Sequence, residues 1–123
     1  MDYTEWTFDG KCPLYTQLYH KLKYDILSGQ LPPGEGIPSI RQMVALLHIN
    51  SNTIARSYKL ICQDGLVEMS RGRKCSVTPD TDFIQEKRAQ EAKNLCFNYM
   101  RTMVALGFSR EKAQAFIESN NIN

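Results

Sequence analysis

The sequence predicts a mostly α-helical chain with one small β-hairpin, in the order three helices, hairpin, two helices. Three observations predict it. Apolar residues recur at helical spacing in three short stretches between positions 14 and 61. A brief alternation of apolar and polar residues stands on either side of a basic turn centred on Gly72. After Pro79 a stretch from 83 to 105 has neither Gly nor Pro and is rich in helix formers.

Residues 1–12 carry Asp2, Glu5 and Asp9 and read as an N-terminal arm. Pro13 opens the first helix, where its missing N–H does no harm. Leu14, Leu18, Leu22 and Ile26 make a single stripe at i+4 spacing, and Gly29 ends it. Residues 30–38 hold three prolines and two glycines, which force an extended, turning connection anchored by Leu31 and Ile37. Ser39 caps the second helix, with Gln42 completing a capping box. Ile40, Met43, Val44 and Leu47 are its buried stripe. His48, Ile49 and Asn50 form a tight turn. Asn50 or Ser51 caps the third helix, which buries Ile54, Tyr58 and Ile61 and stops at Gly65.

Leu66 to Met69 alternates as a half-buried strand does, and Cys75 to Val77 returns after a basic turn, Ser70 to Lys74. Three helices and a hairpin with a basic tip make a winged helix-turn-helix over residues 13–79. Residues 80–123 form a C-terminal two-helix segment. Ala92, Leu95 or Cys96, Tyr99, Met103 and Leu106 share one face of its long helix. Gly107 breaks the run, Ser109 caps the last helix, and Ala113, Phe116 and Ile117 are the apolar positions there. An apolar face outside a complete small domain needs a cover, which a second copy of the chain supplies. Folding back on its own winged helix is the other option. The expected dimer interface is Ala92, Leu95, Cys96, Tyr99, Met103, Leu106, Phe116 and Ile117.

Composition narrows the function. At 123 residues, 42% of them apolar, the chain holds one compact domain and an appendage, with no room for a second catalytic domain of ordinary size. The net charge is +2, but residues 10–79 carry nine Lys or Arg against four acids, while 80–123 carry six of each. The positive surplus sits where a polyanion would bind. No Cys-x-x-Cys pair occurs among Cys12, Cys62, Cys75 and Cys96, and His20 and His48 stand in unrelated contexts, so no metal site is legible. No catalytic triad, paired carboxylates or glycine-rich phosphate loop appears, so neither an enzyme nor a cofactor is expected. With no signal peptide and no long apolar run, a cytoplasmic protein with reduced thiols and no membrane partner is expected. Cys75 follows Arg73 and Lys74, which would lower its pKa and suit a redox sensor if it is exposed; the other reading is an inert strand cysteine.

Two short helices joined by a tight turn form the helix-turn-helix, whose second helix enters the major groove by its N-terminal end. Asn52, Thr53 and Arg56 stand on that helix opposite its apolar face. Asn pairs with adenine and Arg with guanine through two hydrogen bonds, and Thr reaches a base, a phosphate or a thymine methyl. Asn50 and Ser51 lie at the cap, where free N–H groups favour a phosphate. Arg41 sits in the first turn of the preceding helix, and Lys59 extends the polar face. Arg71, Gly72, Arg73 and Lys74 form a cationic tip suited to a minor groove. Taken singly, these residues read as solvated surface. Their joint placement on one side of one motif points to double-stranded DNA.

Several motifs occur in one order: Pro13-Leu14-Tyr15, Ile26-Leu27-Ser28-Gly29, Leu31-Pro32-Pro33-Gly34-Glu35, Ile37-Pro38-Ser39-Ile40-Arg41, Asn50 through Tyr58, and Asp64-Gly65-Leu66-Val67. In that order they resemble the GntR family of regulators over roughly residues 13–78. The Asn50-x-Asn52-Thr53 opening and the short tail are similar to the YtrA subfamily. The resemblance implies DNA contacts at Arg41, Ser51, Asn52, Thr53, Arg56, Arg71 and Gly72. It also implies dimerisation through the C-terminal helix pair and, in many members, regulation of a neighbouring transporter operon. His48 stands where the family usually has glycine, and Lys74-Cys75-Ser76 departs from the family's wing.

The expected function is a sequence-specific DNA-binding homodimer acting as a repressor on an inverted repeat. The alternative is a winged-helix adaptor that binds protein without reading sequence. Residues 80–123 leave little room for a roomy pocket in one chain, though a dimer interface has space for a small-molecule effector.

Overall fold

The computed structural model describes residues 1–70 and 74–120. Pro13 takes the N-cap position of helix α1 (Leu14–Ser28), and Gly29 ends it in the left-handed conformation. Leu18, Leu22 and Ile26 are fully buried, as the i+4 stripe requires. Helix α2 (Ile40–Leu47) carries the complete capping box between Ser39 and Gln42. Helix α3 (Ser51–Gln63) is capped by Asn50 and buries Ile54, Ser57, Tyr58 and Ile61. Each large side chain in this set contributes roughly 1.5–3 kcal/mol by leaving water.

The connection at 30–38 does more than turn. Gly36 and Ile37 form strand β1 (Gly36–Ile37), which pairs antiparallel with β3 (Cys75–Val77). Strand β2 (Val67–Met69) pairs with β3 from the other side, so the expected hairpin is the larger part of a three-stranded sheet in the order β1-β3-β2. Two further bonds, Gly34 N–H to the Val77 carbonyl (3.0 Å) and Val77 N–H to the Glu35 carbonyl (2.8 Å), fasten the connection to the sheet. A two-residue strand is too short for alternation to show in sequence.

The first twelve residues are also docked. Tyr3 is buried in the core, with Trp6 edge-on to it at 5.1 Å and Phe8 packed against the same cluster. The Gln17 side chain accepts from the Asp9 N–H (2.9 Å) and donates to the Asp9 and Cys12 carbonyls, both at 2.7 Å. The acidic character that suggests an arm hides three aromatic anchors.

Helix α4 (Thr81–Ala105) begins where the Asp80 carboxylate accepts the Phe83 N–H. Phe83 lies against Gly65, where φ is +78° and an added Cβ would stand 3.1 Å from the ring. Contacts divide the chain into two compact units, Met1–Glu86 and a second beginning at Lys87. The division thus falls inside α4, because Phe83 packs on the first unit's core and Ile84 is part of it. In the second unit Gly107 ends α4, and Ser109 caps α5 (Arg110–Ser119). That pair is held by the Tyr99 hydroxyl donating to the Ala113 carbonyl (2.6 Å) and by an edge-to-face contact of Phe108 with Phe116 (5.2 Å). Among the described residues, no helix is long and apolar enough to cross a membrane.

The turn between α2 and α3 depends on His48, the C-cap of α2, at φ 55° and ψ 39°. A left-handed conformation costs a non-glycine residue about 1–2 kcal/mol, and glycine's extra freedom in the unfolded chain offsets about 0.5–1 of the relief. His48→Gly is therefore expected to raise stability by about 0.5–1 kcal/mol, whereas His48→Val lowers it. Denaturant unfolding of the whole chain checks both signs.

Candidate nucleic-acid interface

Helix α3 is sorted cleanly into two faces. Ile54, Ser57, Tyr58 and Ile61 are buried, while Asn52, Arg56 and Lys59 are exposed on the opposite side and Thr53 is half-buried at its margin. Buried Ser57 donates to the Tyr15 carbonyl of α1 (2.7 Å), and the Tyr58 hydroxyl donates to the Pro38 carbonyl (2.6 Å). These bonds fix the rotation of α3 about its own axis, and so the direction in which the polar side chains project. Arg56 is further defined: its guanidinium carbon lies 3.7 Å from the centroid of the Tyr15 ring.

The N-termini of α2 and α3 meet near the root of the wing. Arg41, exposed in the first turn of α2, and Ser51, exposed at the start of α3, line one groove with Ile40, Val44 and Met69. Arg41 and Ser51, on successive helices, thus share a wall with the sheet. Asn50 has a structural duty as well, since its side-chain oxygen accepts the Asn52 N–H at 2.8 Å. Lys74 is exposed at the base of the wing, and the Ser70 N–H to Lys74 carbonyl bond (2.8 Å) closes the loop. The remaining wing residues expected to touch DNA, Arg71, Gly72 and Arg73, lie outside the described residues.

Cys75 does not suit a redox sensor. Its side chain is buried opposite Met69 in the sheet, and burial first, then the nearby Cys62, pushes the thiol above its usual range. A reactive thiolate needs the opposite shift. The adjacent Lys74 side chain is exposed and does not reverse this.

The expected dimer face is divided by the fold. Ala92, Leu95, Cys96, Leu106 and Ile117 are exposed, Leu106 at 69%. Tyr99, Met103 and Phe116 are half-buried, with Tyr99 and Phe116 engaged inside their own helix pair. A neighbouring set lies outside the expected face. Phe97 (64% exposed), Met100 and Val104 (51% exposed) line an apolar groove with Cys96, and Arg101 and Arg110 form its cationic part. Their i, i+3, i+7 spacing is its signal in the sequence, one residue's rotation away from the expected face.

The model of the bacterial regulatory proteins of the gntR family matches residues 14–77. YhcF, an uncharacterized HTH-type transcriptional regulator of Bacillus subtilis (strain 168), is 27% identical over 105 residues, covering 85% of this chain and 87% of that protein. The HTH-type transcriptional repressor YtrA of the same organism is 34% identical over 61 residues, 50% of this chain and 47% of that protein. Among solved structures, a GntR family transcriptional regulator from Listeria monocytogenes is similar with a TM-score of 0.84 at 28% identity, covering 93% of this chain and 100% of that one.

The cap role of Asn50 is separable from any DNA contact. Asn50→Ser keeps an oxygen for the Asn52 N–H and is expected to leave stability nearly unchanged, while Asn50→Ala costs about 1 kcal/mol. Thermal unfolding of the two variants without DNA makes the comparison.

Proposed function

The chain belongs to the gntR family of bacterial regulatory proteins, and from that membership we propose that it is a repressor that reads an inverted-repeat operator as a homodimer. The family and the YtrA-like subfamily make it a DNA-binding transcription regulator and not an enzyme. The observation that carries the finer reading is the exposed row Asn52, Arg56 and Lys59, held opposite the buried side of α3. Asn52, Thr53 and Arg56 read base edges. Arg41, Asn50, Ser51, Lys59 and Lys74, with Arg71, Gly72 and Arg73 of the wing tip, supply phosphate and minor-groove contacts. Two chains related by a two-fold axis place their α3 helices in successive major grooves, with half-sites roughly 34 Å apart.

Repression is supported by the name of the B. subtilis relative YtrA, and the YtrA-like character supports a transporter operon as the target. Such a protein works in the cytoplasm. The homodimer is supported by the exposed apolar positions of the second unit, Leu95, Phe97, Val104, Leu106 and Ile117, each more than half exposed in the single chain. Any small-molecule effector binds at or near that interface.

Selection of bound sequences from random duplex DNA at near-physiological salt tests this reading. A two-fold symmetric motif is expected. Retention without sequence preference would replace the operator reading with that of a protein-binding adaptor. Arg56→Ala is expected to relax preference at one position in each half-site, at a cost of about 1–3 kcal/mol. Lys74→Ala should weaken selected and random duplexes alike and flatten the salt dependence. An unchanged preference in Arg56→Ala would remove the base-reading role from that residue.

Sedimentation equilibrium tests the dimer. A dimer at micromolar concentration is expected, and Phe97→Asp should weaken it by roughly thirtyfold or more, as loss of a buried aromatic anchor does. A wild-type monomer at that concentration would overturn the dimer.

A further inference from the structure

Tyr15 lies outside the helix-turn-helix, in the first turn of α1, yet it touches the reading face. The Arg56 guanidinium carbon stands 3.7 Å over its ring centroid. Contact at that distance is far inside the roughly 6 Å within which a cation is attracted to a ring face. Lys21 over Phe8 and Arg101 over Phe97 stand at 5.6 Å by comparison. The backbone that carries the ring is also tied to the helix that carries Arg56. Ser57, the next residue and fully buried, donates its hydroxyl to the Tyr15 carbonyl at 2.7 Å. Helices α1 and α3 are therefore joined at two adjacent points, by the Ser57 bond to the Tyr15 carbonyl and by the Tyr15–Arg56 stack.

We propose that Tyr15 is a positioning residue for base reading, its ring holding the Arg56 guanidinium in the orientation that presents the N–H edge to guanine. The inference rests on the reading of Arg56 as a base contact. Arginine's donors lie in the plane of the guanidinium, so a ring against its face leaves the edge free for two parallel bonds to one base. An arginine side chain carries substantial rotamer freedom, and restraint before DNA arrives reduces what is lost on binding.

The test compares Tyr15→Phe, which keeps the ring, with Tyr15→Leu, which removes it, each in wild-type and Arg56→Ala backgrounds. Binding is measured to the duplex selected by the wild type and to a random duplex, with thermal unfolding checked for each variant. Tyr15→Leu is expected to weaken the selected duplex by roughly two- to thirtyfold, leave the random duplex nearly unchanged and add nothing to Arg56→Ala. Tyr15→Phe should behave as wild type. Equal loss on both duplexes, or a loss that persists in Arg56→Ala, would overturn the role. A readout without DNA accompanies it: Arg56 side-chain proton resonances displaced by the ring current in wild type and Tyr15→Phe, and not in Tyr15→Leu. Absence of that displacement in the wild type overturns the stack itself. A wild type that selects no sequence removes the base-reading premise, and the role with it, while the displacement remains, so the two failures are distinguishable.

Discussion

The first unit depends on how α3 is held. Its inner face inserts Ile54, Tyr58 and Ile61 into the core, each at 1% exposure or less. Apolar burial alone would permit small rotations about the helix axis. The Tyr58 hydroxyl removes that freedom by donating to the Pro38 carbonyl. A phenol is protonated at neutral pH and so able to donate, and burial drives the Tyr58 pKa further above its ordinary value. Pro38 immediately precedes the Ser39 cap of α2 and follows the β1 residues paired to the wing. One buried hydroxyl therefore connects α3, the helix before it and the sheet. Loss of such a bond leaves a carbonyl in an apolar surround, which is more costly than the bond's net contribution.

Much of this arrangement is legible in the sequence because its signals are local. The Ser39/Gln42 pair, Gly29 and the i, i+4, i+7 stripe of α3 each depend on residues a few positions apart, and each is realised. The outward row of α3 follows from the same stripe by geometry. What the sequence hides is set by distant contacts. β1 exists because Gly36 and Ile37 meet Ser76 and Cys75, a pairing across some 40 positions that has no short-range pattern. Tyr3, Trp6 and Phe8 read as an arm because their acidic neighbours dominate the local composition. The Tyr15–Arg56 stack joins two helices and has no mark in either.

The long helix illustrates a different limit. Residues 92 to 106 carry apolar side chains over more than one face, so periodicity offers two adjacent stripes and does not rank them. Within the second unit the fold commits Tyr99 to the Ala113 carbonyl. The neighbouring stripe, Phe97, Met100 and Val104, is left beside Arg101 and Arg110. Ala113 is fully buried, but few other side chains of this helix pair are. A pair that buries so little of its own apolar surface gains stability from any partner that covers the rest.

Energetics give an independent reason for the proposed pairing of two copies. One well-placed base contact discriminates by roughly 1–3 kcal/mol, and a single α3 offers Asn52, Thr53 and Arg56 for that work. Of these only Asn52 and Arg56 can bond a base through two hydrogen bonds, so their joint discrimination is roughly 2–6 kcal/mol, the lower part of the roughly 4–10 kcal/mol that separates specific from random binding. Added lysines would not widen that gap, because phosphate contacts strengthen both kinds of complex. Doubling the reading helix does widen it, and a two-fold axis does so without new sequence. In the proposed dimer the apolar face of the second unit would thus serve the polar face of the first. On the proposed reading, pairing through Phe97 and its neighbours would join two modest readers into one with sufficient discrimination, and ordering Arg56 beforehand would increase what each reader contributes.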